Sequence, residues 1–272
     1  MAMARDETNS RARMHALRSH WPEYLCEALG LGAFMVSACL VTALFEYPAS
    51  PVHRAVPNAS ARRALIGVLM GLTAIAIIYS PFGKRSGAHL NPAVTLTFYR
   101  LGRVAPWDAV FYALAQLAGG TLGVALSFAL VPAAVRHPAV HFVVTVPGAG
   151  GLSAASVAEA IISFLLMMTV LTLSGSRHAA RTGIAAGLLV AVYVAVEAPY
   201  SGMSMNPARS ASSSIIACDW TAWWVYFFVP PLAMLVAAEV YLRTPNVTRA
   251  GCAKLHHSRW VRCIFCGFVP KS

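Results

Sequence analysis

Long apolar segments alternate with short polar ones along most of the chain. Six of these segments can cross a bilayer as helices, which takes about 20 residues. They lie at 24–45, 64–79, 109–131, 157–173, 183–196 with its polar-edged flanks, and 223–242. Two further apolar stretches, 93–101 and 208–218, are too short to cross alone. The pattern predicts an all-α membrane protein with six transmembrane helices and two re-entrant half-helices.

Both short stretches begin with the same tripeptide. SGAHLNPAV at 86–94 returns as SGMSMNPAR at 201–209, and five of the nine positions agree. Asn91 and Asn206 suit a helix N-cap, because a side-chain oxygen there accepts hydrogen bonds from exposed backbone N–H groups, and proline suits the first helical position. Each copy therefore predicts the start of a helix. The first helical residues are expected to be Pro92, Ala93, Pro207 and Ala208.

The composition supports a membrane protein and excludes other classes. Hydrophobic residues make up 58% of the chain and charged residues only 11%, against about a quarter charged in a soluble domain. The 21 Lys and Arg residues outnumber the 10 Asp and Glu residues, but they are scattered at segment ends, so we expect lipid headgroups and no nucleic acid as their partners. Most lie on the side of the termini, which predicts an integral protein of the cell (plasma or inner) membrane with both termini cytoplasmic.

The two halves of the chain repeat each other in opposite orientation. Three spans and one short stretch fall in 22–131 and again in 153–242, and Glu27 and Glu159 occupy matching places in the first span of each half. The domains we predict are a cytoplasmic segment at 1–21, a membrane domain at 22–242 and a cytoplasmic tail at 243–272. Inverted repeats with broken helices also occur in secondary transporters, so this pattern alone leaves channel and carrier open.

Paired Asn-Pro-Ala helix starts among long apolar segments, the second followed by Arg209, resemble the aquaporin and aquaglyceroporin family over about 24–241. The resemblance implies an aquaporin-like fold, a homotetramer with one pore per subunit, and a passive channel without a cofactor that excludes protons and ions. It implies pore residues at Asn91 and Asn206 and loop-supporting carboxylates at Glu27 and Glu159. The loop backbone implied to line the pore comprises Gly87, Ala88, His89, Leu90, Gly202 and Ser204. We expect each Asn side-chain oxygen to cap its helix and each NH2 group to remain free to donate into the pore.

Four positions are implied to form a selectivity constriction. Counting from the second motif places Arg209, Met203 and Val194 there, with Met70 or Gly71 as the fourth. Water channels of the family usually have Phe and His beside the Arg, and glycerol channels usually have aromatic residues and a Gly; this sequence has neither set. Flexible Met side chains can adapt in width, so we predict conduction of water, with small neutral solutes such as glycerol in addition. The alternative within the same fold is a glycerol or small-solute facilitator.

Ionisable residues near or within the spans bear on two other classes of function. A secondary transporter would need a coupling carboxylate, and the candidates are Glu27, Glu159, Glu197 and Glu239. The matched positions of Glu27 and Glu159 favour loop support over coupling, and the role of Glu197 stays open. An enzyme would need a nucleophile beside a base, whereas the aspartates Asp6, Asp108 and Asp219 all lie near segment ends. We therefore predict no catalytic residues and no enzyme activity.

The polar tail carries a cluster of metal-binding residue types. Cys252, His256, His257, Cys263 and Cys266 follow the spacing Cys-x3-His-His-x5-Cys-x2-Cys. Thiolate and imidazole groups are the usual tetrahedral ligands of zinc, but this spacing matches no standard zinc finger. We expect a mostly disordered tail with reduced thiols, and we keep a zinc site as the alternative hypothesis.

Overall fold

The computed structural model of the protein describes residues 2–245 and 248–270. Met1, Asn246, Val247, Lys271 and Ser272, which fall in the predicted terminal segments 1–21 and 243–272, lie outside the described residues. The described part of the chain is helical and has no strand. Its α-helices are α1 (Ala2–Glu46), α2 (Pro51–Ala55), α3 (Ala59–Tyr79), α4 (Pro81–Ser86), α5 (Pro92–Arg100), α6 (Pro106–Leu130), α7 (Pro132–Arg136), α8 (Gly151–Ser174), α9 (Thr182–Val196), α10 (Ala198–Ser201), α11 (Pro207–Ala217) and α12 (Trp223–Arg243). Two 3-10 turns lie at His141–Val143 and Ala179–Arg181.

Six helical segments are long and apolar enough to cross a membrane, which confirms the predicted fold class. They are Asn9–Glu46, Ala59–Tyr79, Pro106–Leu130, Gly151–Ser174, Ala179–Val196 and Trp223–Arg243. Proline occupies the first position of α2, α4, α5, α6, α7 and α11. It is tolerated there because the first N–H of a helix has no intrahelical partner in any case.

Glycines allow two pairs of spanning helices to approach closely. A Cβ added to Gly119 of α6 would lie 1.9 Å from the carbonyl oxygen of Ala28 in α1. On α3, a Cβ at Gly67 or Gly71 would lie 2.4 or 2.5 Å from a carbonyl oxygen of α9. Small residues at such crossings are how helices pack in lipid, where no hydrophobic force drives them together. Gly71 therefore lies at the contact between α3 and α9.

The packing of the helices repeats between the two halves. α1 packs on α6 in the first half, and α8 packs on α12 in the second. The half-helix α5 contacts α12, whereas α11 contacts α6, so each half-helix packs against the last span of the opposite half. This exchange brings the starts of α5 and α11 together inside the bundle.

The first helix begins well before its predicted apolar segment. α1 continues through Pro22 and reaches the start of α6, where the indole N–H of Trp107 donates to Asn9 Oδ1 at 2.9 Å. Asp108 is buried there and has two partners: Tyr24 donates to it at 2.6 Å, and His20 Nδ1 lies 2.8 Å from it. A hydropathy pattern detects apolar segments and not polar contacts of this kind. The prediction from the sequence therefore begins the helix too late.

The described tail residues, 248–270, pack on the protein without forming a helix or strand, whereas the sequence predicts a mostly disordered tail. Ala253 is fully buried and Leu255 is 6% exposed. Among the contacts that hold the tail, Arg262 Nη2 lies 3.0 Å from the buried carboxylate of Glu23, and the N–H of Leu255 donates to the carbonyl oxygen of Gly87 at 3.1 Å. Both join residues more than 160 positions apart, so a local reading of the tail could not find them.

Candidate pore and its constriction

Asn91 and Asn206 cap the two half-helices where they meet. Asn91 Oδ1 accepts from the N–H of Ala93 at 2.8 Å, and Asn206 Oδ1 accepts from the N–H groups of Ala208 and Arg209 at 3.0 and 3.2 Å. The capping that the motif predicts is thus present in both copies. Pro92 and Pro207 are the first helical residues.

The amide groups of the two asparagines cross between the halves. Asn91 Nδ2 donates to the carbonyl oxygen of Met205, and Asn206 Nδ2 donates to that of Leu90, both at 2.7 Å. Each NH2 group has two hydrogens. One hydrogen of each is therefore used to join the two loops, which differs from the expectation that both stay free, and the second remains for another acceptor.

The loops before the half-helices share an unusual backbone conformation. Gly87 and Gly202 have φ of 101° and 79°, and the non-glycine residues Ala88 and Leu90 have φ of 54° and 51°. The second loop repeats this, with φ of 54° at Met203 and 53° at Met205. Non-glycine residues seldom adopt positive φ, and such strain persists only where the surroundings enforce it.

Two buried carboxylates provide that support. Glu27 accepts from the N–H groups of His89 and Leu90 at 3.0 and 2.6 Å, and from Gln116 Nε2 at 2.8 Å. Glu159 accepts from the N–H groups of Ser204 and Met205 and from the hydroxyl of Ser201, each at 2.7 Å. Both carboxylates are fully buried, and each accepts three hydrogen bonds, two of them from backbone N–H groups of its own loop.

Two tyrosines complete the loop supports, and the sequence reasoning missed them. Tyr112 donates to the carbonyl oxygen of Ser86 at 2.7 Å, and Tyr226 donates to that of Ser201 at 2.8 Å. The tyrosine follows its serine by 26 residues in the first half and by 25 in the second. That matched spacing between the halves is the signal that could have found them.

Two cavities share lining residues, and the crossed asparagines line one of them. The inner one, about 110 Å³, is lined by both asparagines and by Ala88, His89, Leu90, Ser204 and Leu255. The outer one, about 420 Å³, is lined by Met70, Val194, Gly202, Met203 and Arg209. Met203, Arg209 and Phe34 line both cavities. All four candidate constriction residues line the outer cavity, and Gly71, the other candidate for the fourth position, is not among its lining residues.

Arg209 is oriented by a carbonyl from a distant loop. Its Nη1 donates to the carbonyl oxygen of Val143 at 2.7 Å. Val143 closes the 3-10 turn at His141–Val143, where all three residues have positive φ. Neither Val143 nor Phe34 stands out in the sequence, because their importance comes only from the fold.

Residues 14–241 match the family described as "Major intrinsic protein". The chain belongs to the major intrinsic protein family. The resemblance inferred from the two motifs is confirmed.

Similar proteins of the major intrinsic protein family include plant aquaporins. The "Probable aquaporin NIP-type" of Nicotiana alata is 41% identical over 183 residues, covering 65% of this chain and 64% of that protein. "Aquaporin NIP1-3" of Oryza sativa subsp. japonica is 38% identical over 179 residues, covering 65% and 60%. The chain thus spans less than two thirds of the length of these relatives. Among solved structures, the aquaglyceroporin from Plasmodium falciparum shares the fold, with a TM-score of 0.68, 19% identity, and coverage of 83% of this chain and 97% of that one.

His89 is buried and contacted from several directions in this member of the major intrinsic protein family. Its Nδ1 lies 3.0 Å from Thr95 Oγ1, and its Nε2 lies 2.7 Å from the carbonyl oxygen of Ala253. The ring stacks between Phe98 and Phe265, with centroids 5.3 and 5.4 Å away. His89 thus joins the first loop to the tail.

Of the other carboxylates, Glu239 pairs with Arg100 at 2.6 Å. Both oxygens of Glu197 are buried without a hydrogen-bond partner among the described residues.

The candidate metal ligands of the tail divide into two groups. Ligand atoms of Cys252, His257, Cys263 and Cys266 all lie within 4.8 Å of one another. His256 is outside this group, and its ring lies 4.8 Å from that of Tyr79.

Proposed function

We propose that the protein is a passive membrane channel that conducts water, with small neutral solutes in addition, and excludes protons and ions. The observation that carries this proposal is that the crossed pair Asn91 and Asn206 lines a cavity that shares Met203 and Arg209 with a second cavity. Non-helical backbone inside a membrane persists only where it is buried or lines a wet cavity. Both loops fulfil that condition here, because their residues line the inner cavity.

Charge exclusion follows from the junction of the half-helices. Their N-termini carry partial positive charge, and the two ends lie together, so a cation at the centre is disfavoured. The remaining N–H of each asparagine would hold a passing molecule through its oxygen. In this role Asn91 and Asn206 orient water so that a proton cannot be handed along a continuous hydrogen-bonded file.

Solute size would be set by the constriction. Arg209 supplies a fixed positive charge and hydrogen-bond donors, and Met70, Val194 and Met203 supply an apolar wall. An apolar wall gives few partners to a solute with several hydroxyl groups, which must shed water to enter. This favours water over glycerol. A glycerol facilitator is the second candidate, because unbranched Met side chains can yield to a wider solute.

Carrier function is disfavoured by the state of the paired carboxylates. A coupling carboxylate must be able to exchange a proton or an ion with the transport path. Glu27 and Glu159 instead each accept three hydrogen bonds from the loops and their supports. The proposal assigns them to loop positioning and includes no catalytic step.

The same proposal includes cytoplasmic termini in the cell membrane and a homotetramer. The excess of basic residues on the side of the termini supports the orientation. Many large apolar side chains on the outer surface of the bundle, such as Leu122 at 70% and Leu130 at 61% exposed, face lipid or neighbouring subunits. Chemical crosslinking in native membranes, followed by separation by size, tests for four subunits.

The proposal is tested by osmotic shrinkage of proteoliposomes in a stopped-flow instrument, first with an impermeant osmolyte and then with glycerol. The measurement is made on the protein as purified and after treatment with a metal chelator. This is needed because the tail carries the candidate metal ligands and lines the inner cavity through Leu255. Fast shrinkage without glycerol re-swelling supports a water channel. Fast re-swelling supports the facilitator, and no acceleration over empty liposomes under either treatment refutes both.

A further inference from the structure

Four side chains of the tail converge on one point. Cys252 Sγ lies 3.3 Å from Cys263 Sγ, and His257 Nε2 lies 3.3 Å from Cys266 Sγ. A tetrahedral zinc ion with Zn–S bonds of about 2.3 Å separates its sulfur ligands by about 3.8 Å. The four ligand atoms, all within 4.8 Å of one another, have the spacing of such a site.

The turn that presents two of the cysteines is built like a metal-binding knuckle. The N–H of Gly267 donates to the carbonyl oxygen of Cys263 at 3.0 Å, and Gly267 has the positive φ, 71°, that closes the turn. The turn holds the thiols of Cys263 and Cys266 within 4.8 Å of each other.

The ligand set favours zinc over a disulfide. A disulfide would join only two of the thiols. It would not explain why the third thiol and His257 lie at the same point. Three thiolates and one neutral imidazole around Zn²⁺ carry a net charge of −1. The ammonium group of the buried Lys254 lies beside the site, between the carbonyl oxygens of Lys84 and Arg262 at 2.8 and 3.0 Å, so this charge has a counter-ion.

The tail held by these ligands covers the inner mouth of the pore. The N–H of Leu255 donates to the carbonyl oxygen of Gly87, and Leu255 lines the inner cavity with the two asparagines. Ala253 and Phe265 cover His89. A Cβ at Gly87 would lie 3.0 Å from Lys254 and 3.2 Å from Phe265, so the tail is in tight contact with the loop. A loop carbonyl oxygen that would face water is thus bonded to the tail.

We propose that Cys252, His257, Cys263 and Cys266 bind one zinc ion, and that this ion holds residues 250–268 as a plug that closes the cytoplasmic mouth of the channel. The plug rests on the channel function and topology proposed above, whereas the metal site does not. With zinc bound, the 250–268 plug restricts water flow. Loss of zinc by chelation removes the constraint that keeps the tail folded and opens the mouth.

The metal site is tested by elemental analysis of the full-length protein purified through a tag without histidine. We expect about one zinc per chain, and tetrahedral thiolate bands in the visible spectrum after cobalt replacement. Cys263→Ser and Cys266→Ser should each lose the metal. Cys218→Ser and His256→Ala are matched controls, since neither residue belongs to the cluster, and both should keep it. Protein without zinc, or zinc that survives both ligand substitutions, would overturn the site.

The plug is tested by water permeability of the same proteins at equal density in liposomes. Zinc-loaded wild type should be several-fold slower than the chelated protein and than Cys266→Ser, and Leu255→Ala should be faster while retaining zinc. Equal permeability with and without zinc would overturn the plug and leave the channel intact. Permeability no higher than that of empty liposomes in every sample would refute the channel function itself, and the zinc content would still decide the site.

Discussion

Asn206 Nδ2 donates to the carbonyl oxygen of Leu90 at 2.7 Å, which joins the second half-helix to the loop before the first. The reciprocal bond runs from Asn91 to Met205. The junction is therefore held by contacts between the halves as well as by the capping within each half. Substitutions that loosen either loop should therefore displace the crossed asparagines at the centre of the pore.

Glu27→Gln should lower both the stability and the water permeability. The amide would direct an NH2 group at a donor, His89 N–H, Leu90 N–H or Gln116, leaving a buried donor without an acceptor. Such a loss costs about 1–3 kcal/mol. Apparent melting temperature in detergent and stopped-flow shrinkage measure the two effects. Glu239→Gln is the matched control, because its ion pair with Arg100 is partly exposed and should contribute little.

Tyr112→Phe and Tyr226→Phe should each destabilise the protein by about 1–3 kcal/mol, because each leaves a buried carbonyl oxygen without its donor. The two bonds lie in different loops, so the double variant should show nearly the sum of the single effects. Thermal unfolding followed by size-exclusion chromatography gives the midpoints. Tyr99→Phe, at a 43% exposed position, is the control. Unchanged midpoints in both single variants would rule out the support assigned to these hydroxyls.

Met203→Ala should raise glycerol permeability several-fold with a smaller effect on water. Met203 lines both cavities beside Arg209, and truncation widens the passage between them. The backbone should tolerate the change, since Ala88 holds the equivalent position of the first loop at the same φ of 54°. The readout is re-swelling in a glycerol gradient, with Met14→Ala, an exposed position on α1, as control. Equal glycerol entry in the two variants would remove Met203 from the constriction.

Acid should loosen the loop that orients Arg209. His141 Nε2 lies 2.8 Å from the Asp219 carboxylate, and the N–H of Thr221 donates to it at 2.9 Å. These bonds hold the pKa of Asp219 below its usual value, with His141 the larger cause. Because the pKa of Asp219 is lower in the folded protein, its bonds stabilise the fold fully when the pH is above the ordinary aspartate pKa of about 3.9. This stabilisation is lost as the pH falls through the lowered pKa of the folded protein.

Hydrogen exchange at 137–146 measures that effect. The wild-type loop should be protected from about pH 5 upward and lose protection in stronger acid, whereas Asp219→Ala should lack this step. The difference should stay below about 1 kcal/mol, because both partners are partly exposed to solvent. Identical pH profiles for the two proteins would exclude the Asp219–His141 pair as the cause.

The features that the sequence predicts are those encoded by local rules. Six spans follow from hydropathy, and the caps at Asn91 and Asn206 follow from the two tripeptides, because capping involves neighbouring residues only. The hydrogen bond that each asparagine NH2 group donates to the opposite loop was not predictable in this way, since its acceptor lies more than 110 positions away.

Long-range contacts account for the other differences between expectation and structure. Val143 reaches Arg209 across 66 positions, and Glu23 reaches Arg262 across 239. The tail illustrates the same limit. Its spacing suggests metal ligands, but only the fold separates His256 from the other four residues and sets them beneath the first loop.

Osmotic shrinkage of proteoliposomes that contain chelated wild type or Asn206→Asp tests the central claim most directly. Aspartate can still cap the half-helix, but it replaces the donor to Leu90 with a second oxygen and adds a negative charge where the helix ends are positive. The account predicts shrinkage several-fold faster than empty liposomes for the wild type and a large loss for Asn206→Asp at equal protein content. Wild type no faster than empty liposomes, or an Asn206→Asp variant as fast as the wild type, would contradict it.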